Sequence, residues 1–127
     1  MSDTSNILTK LLTERILMLD GPKGTLIQSY KLSDADFRGK QFIDHPVELK
    51  GNNDILVLTK PELIKEIHIA HLNAGSDVIG TNTFNANSIS QADYKTENFS
   101  YEINFHAAKI AKETADEFTK KNPDKPR

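Results

Sequence analysis

The chain has 127 residues, a formal net charge of −2 and no cysteine, which excludes disulfides, thiolate metal sites and cysteine nucleophiles within it. So small a net charge gives no electrostatic case for nucleic acid or an anionic membrane, and no apolar stretch approaches the roughly 20 residues that span a bilayer. With 37% hydrophobic and 27% charged residues the composition fits one globular domain, and the start, Met1-Ser-Asp-Thr-Ser5, lacks the basic and apolar regions of a secretory signal, so a cytoplasmic location is expected.

In chain order, Asn6–Glu14 carries Ile7, Leu8, Leu11 and Leu12 as a helical stripe, predicting a short helix packed on the domain. Ile16–Leu19 is a continuous apolar run of the kind buried in parallel sheets, ended by Asp20 and Gly21. A helix is predicted over Thr25–Tyr30, entered through Gly24. Lys31–Lys50 reads as a long excursion with one helical turn, and Ile55–Leu58 as a short extended segment. Thr59, Pro61 and Glu62 signal a helix start. That helix has Leu63, Ile67, Ala70 and Ala74 on one face and stops at Gly75, before a second core strand at Val78 and Ile79. Asn87–Tyr94 reads as a short helix. Ser100 is the expected N-cap of a last helix whose inner face runs through Ile103, Ala107, Ile110, Ala111, Thr114 and Phe118, with Asn122-Pro-Asp-Lys-Pro-Arg127 ending it.

Two strand ends carry the candidate chemistry. In Asp20-Gly-Pro-Lys-Gly-Thr25 a carboxylate followed by glycines suits a site that holds a cationic group against close-approaching backbone; a plain strand-to-helix turn with Asp20 as a cap is the alternative. Neither phosphate-loop pattern is present. In Thr81-Asn-Thr-Phe-Asn-Ala-Asn87, small hydroxyl and amide groups could bind a carboxylate or a neighbouring loop, or cap the next helix. His68 and His71 have zinc-ligand spacing on a predicted helix, but no third ligand is identifiable nearby, and structural histidines are the plainer reading.

Several uncommon strings occur here in one register: Ile16-Leu-Met-Leu-Asp-Gly-x-x-Gly-Thr25, Ala35-Asp-Phe-Arg-Gly39, Lys50-Gly-Asn-Asn-Asp54, Thr81-Asn-Thr-Phe-Asn85, Ala92-Asp-Tyr94 and Glu102-Ile-Asn-Phe105. With them the chain resembles, from Leu12 to Arg127, the N-terminal homocysteine-binding module of cobalamin-dependent methionine synthases. The resemblance implies an α/β fold: the N-terminal portion, about two βα units plus an N-terminal helix, of a (β/α)8 TIM barrel. Residues 1–127 would then be a partial homocysteine-binding domain lacking the later strands. In that family zinc holds the homocysteine sulfur as a thiolate, which takes a methyl group from methylcobalamin to give methionine. By position, Asp20 would lie near the substrate amino group, Gly21 would admit the backbone to the ligand, and Thr81, Asn82, Thr83 and Phe84 would line the pocket.

Three departures bear on activity. The family's zinc ligands are cysteines of later strands. Pro22 and Lys23 replace a small and an apolar residue, and Gly80 stands where close relatives carry glutamate. Neither zinc nor cobalamin is therefore expected on this chain alone, no catalytic residue is assigned, and homocysteine should bind it weakly or not at all without the remaining synthase modules. The alternative is a non-catalytic binding or assembly module that complements a separate chain carrying the remaining strands.

Overall fold

The computed structural model describes residues 3–125, and helices carry the fold. They are α1 (Asp3–Glu14), α2 (Lys23–Ser29), α3 (Asp34–Arg38), α4 (Leu56–Thr59), α5 (Pro61–Asn73), α6 (Ser88–Ala92) and α7 (Ser100–Lys121). Single 3-10 turns, Asn53–Ile55 and Glu97–Phe99, lead into α4 and α7. Among the described residues there is no sheet, only one isolated parallel bridge between Leu19 and Val78. The α/β reading, as a portion of a (β/α)8 barrel, is therefore wrong for this structure.

The reason lies in where backbone hydrogen bonds are found. A helix satisfies its own N–H and C=O groups, whereas a strand depends on neighbours. Ile55–Leu58, expected to be extended, is helical, and its Ile55, Leu56 and Val57 are buried in the core. Among the described residues, Ile16–Leu19 and Val78–Ile79 pair at one point only and join no further strand. Their residues Ile16, Met18, Leu19 and Val78 are exposed, Ile16 to 84%, rather than buried.

The core is built where α4, α5 and α7 meet. On α5 the buried side chains are Leu63, Ile64, Ile67, His68 and Leu72. Ala70 and Ala74 of the expected face are exposed, so the helix is rotated towards Ile64 and His68. Pro61 opens the helix as expected, but Thr59 does not cap it: its hydroxyl donates to the Ile55 carbonyl. Gly75 stops the helix at φ 109°, a backbone state that disfavours any side chain. On α7, Ile103, Ala107, Ala111 and Thr114 are buried as the periodicity requires. Ser100 is the first residue of that helix rather than its cap. Helix α1 forms, but Ile7, Leu8 and Leu12 stay exposed, contrary to the packing expected for them.

The long excursion before α4 is ordered from α3. Ser33 and Asp36 form a reciprocal capping box, and the Ser33 hydrogen bonds hold the Asp36 carboxyl down at about 2. The Arg38 guanidinium donates to Asp34 and to the carbonyls of His45 (2.6 Å) and Val47 (2.9 Å). Asp34 Oδ1 in turn accepts the Leu49 and Lys50 N–H groups at 2.7 and 3.0 Å. Phe37 and Leu49 are thereby pinned in the core.

A buried amide network joins this region to α6. Asn52 Nδ2 donates to Gln91 Oε1 at 2.9 Å, Gln91 Nε2 returns to Asn52 Oδ1 at 3.2 Å, and the Thr96 hydroxyl donates to Gln91 Oε1 at 2.8 Å. Asn52→Ala should lower unfolding stability by about 1–3 kcal/mol, because it strips partners from a buried amide. Urea denaturation would measure this, and an unchanged midpoint would remove the network from the list of stabilising contacts.

Candidate functional site

Both candidate loops are brought together by the single bridge and the ion pair that clamps it. The Arg15 guanidinium donates to both Asp77 oxygens at 2.8 Å, and Asp77 Oδ2 accepts the Met18 N–H at 2.9 Å. The Val78 N–H then donates to the Met18 carbonyl at 3.1 Å and the Asp20 N–H to the Val78 carbonyl at 3.0 Å. Because the pairing is parallel, the carboxyl ends of both segments, Asp20-Gly21 and Gly80-Thr81, lie at the same end.

At that end the Asp20 side chain is only 5% exposed. Its Oδ2 accepts the Gly80 N–H at 3.0 Å and the Lys23 ammonium at 2.7 Å. The Lys23 side chain is itself 11% exposed, so this is a largely desolvated pair rather than a surface contact.

Behind the pair lies the α5 face. The Gly21 N–H donates to His71 Nδ1 at 3.4 Å. A Cβ on Gly21 would stand 3.3 Å from His71 Cε1, which is why the closest approach uses glycine. The other ring nitrogen of His71, Nε2, is buried without a partner. His68, one turn earlier, is 0% exposed with neither ring nitrogen hydrogen-bonded. Burial, and then the Lys23 ammonium, push its pKa down to about 4, against the opposing pull of Asp20. The imidazole is therefore uncharged at neutral pH.

The second loop divides. Thr81 and Thr83 share a hydroxyl hydrogen bond of 2.7 Å. Asn82 is buried and its Nδ2 donates to the Asn53 carbonyl at 2.8 Å, which makes it an anchor to the turn before α4. Next to it, Asp54 Oδ2 accepts the Asn85 N–H at 3.2 Å while Oδ1 is buried without a partner, and burial raises the Asp54 pKa. Phe84 is 96% exposed and turns away from Asp20 into solvent.

Of the sequence-predicted site residues, then, Asp20 and Gly21 come together with the backbone of Gly80, which adjoins Thr81. Asn82 is occupied elsewhere, and Phe84 does not line the cluster. The sequence assigned no role to Lys23, and its plainer reading of His68 and His71 was structural. The signals were a lysine three residues after the aspartate and two histidines spaced for one helix face.

The homocysteine S-methyltransferase family model matches residues 17–127, a span that contains Asp20, Lys23, both histidines and Gly80. The chain belongs to this family. Membership in the homocysteine S-methyltransferase family points to methyl transfer to homocysteine. A thiolate zinc centre does not fit the residues present. The chain has no cysteine, and no three His, Asp or Glu side chains converge into a metal-binding group among the described residues. What the cluster offers is a buried carboxylate, a backbone N–H and two buried imidazole nitrogens without partners on His68 and one on His71. No helix among the described residues is long and apolar enough to cross a membrane.

Proposed function

We propose that this chain forms the amino-acid-binding side of a homocysteine pocket in a methyltransferase of the cobalamin-dependent methionine synthase type. The observation that carries the reading is Asp20, a buried carboxylate at the junction of two adjacent loops, fixed by the Gly80 N–H at 3.0 Å. A desolvated carboxylate is a strong seat for an ammonium group, since charge-assisted hydrogen bonds gain in low dielectric. Gly21 and Gly80 leave no side chain between the two loops, so an amino acid could approach the backbone there.

In enzymes of that type zinc activates the homocysteine thiol and cobalamin supplies the methyl group. These residues hold no thiolate donors, so no step through either group is assigned to them. Their part is to bind and orient the substrate's amino end. The expected role is thus positioning, which in methyl transfer contributes by holding the reacting sulfur in line.

Titration of L-homocysteine into the 15N-labelled chain tests the reading. The Gly21 and Gly80 amide resonances should shift saturably, and Asp20→Asn should weaken the binding at least about tenfold, equivalent to about 1.4 kcal/mol. Shifts confined to other regions, or unchanged affinity in Asp20→Asn, would refute it.

A further inference from the structure

The cation seat on Asp20 already has an occupant. Lys23 Nζ lies 2.7 Å from Asp20 Oδ2, and both side chains are almost fully covered. A lysine ammonium and the α-ammonium of an amino acid are the same chemical group, each offering three N–H donors and one positive charge. Lys23 is the first residue of α2, a position at which the helix dipole disfavours a cation. Its charge is balanced instead by folding back three residues onto Asp20. Gly80 borders the pair: a Cβ there would lie in ordinary contact, 3.5 Å from Asp20 Oδ1 and 3.7 Å from Lys23 Nζ.

We infer that Lys23 is a built-in competitor for the amine seat: its ammonium fills the place of a ligand's ammonium on Asp20, and a ligand amine gains access only by displacing it. Lys23 thereby determines specificity at this site. Ligands that need Asp20 are disfavoured. The inference rests on the homocysteine reading only for the identity of the ligand, since the seat and its occupant are properties of the pair itself.

The test uses the full chain and two substitutions, Lys23→Met and Lys23→Gln, each checked for native helicity by circular dichroism. The second keeps a hydrogen-bond donor if loss of the charge partner unfolds the first. L-Homocysteine should bind both variants at least about tenfold more tightly than the unsubstituted chain, or about 1.4 kcal/mol. 4-Mercaptobutyrate, which has the thiol and carboxylate but no amino group, should show no such gain. n-Butylamine, an ammonium alone, should bind the variants and not the unsubstituted chain. Equal affinity of L-homocysteine and n-butylamine for all three proteins would overturn the inference. So would an equal gain for 4-mercaptobutyrate, which would make Lys23 a steric obstacle only. A gain for n-butylamine without binding of L-homocysteine would uphold the lysine as competitor and discard homocysteine as the ligand.

Discussion

Leu56→Ala should destabilise the chain by about 2–5 kcal/mol, the range for removing a fully buried aliphatic side chain and leaving a cavity. Leu56 is 0% exposed and sits in α4, the short helix packed against both α5 and α7. Alanine is at least as good a helix former as leucine, so the loss comes from packing and not from backbone preference. A single-domain protein has about 5–15 kcal/mol of total stability, so one such change removes a large share of it. Leu58, two residues on, is only partly buried and packs at the edge of the same core; Leu58→Ala should cost visibly less. Urea denaturation followed by far-UV circular dichroism gives both values. A Leu56→Ala loss below about 1 kcal/mol would mean that α4 is not the hub of the fold.

The second large effect is a dependence of stability on pH set by His68. Its folded pKa, about 4, lies below the ordinary 6.5 because burial, helped by the Lys23 ammonium, penalises the charged ring. The unfolded chain therefore binds a proton that the folded chain refuses between those values. Stability from this group is complete above about pH 6.5 and is lost as pH falls through that window, by about 3 kcal/mol in all. Asp20 opposes this loss, whereas Lys23 and His71 add to it by repelling a charged ring. Asp54 acts in the other direction: its raised pKa lets the folded chain keep a proton that the unfolded chain releases, so acidification favours folding there. His68→Leu separates the two. Unfolding free energies at about pH 7 and about pH 4.5 should differ much less in this variant than in the unsubstituted chain. Identical differences in both proteins would show that His68 is not the group responsible.

Some features were legible because they depend on local order. The α7 stripe from Ile103 to Thr114, the Pro61 start and Gly75 stop of α5, and the Asn87 cap of α6 all follow from residue spacing or one backbone angle.

What the sequence by itself determined, then, was the helical framework of the second half and the absence of cysteine. The tertiary structure decided the rest. An apolar run is equally compatible with a strand and with a buried helix. Ile55–Leu58 became helix because it packs between α5 and α7, and Ile16–Leu19 formed a single bridge, to Val78, among the described residues. The face of α5 was settled by the core and not by its alanines, which is how His68 came to be buried. The i, i+3 spacing put Lys23 within reach of Asp20, but that it turns back onto the carboxylate was decided by the fold. The Gly80 N–H that joins the lysine on Asp20 Oδ2 is distant in the chain and reaches the aspartate only once the two segments pair.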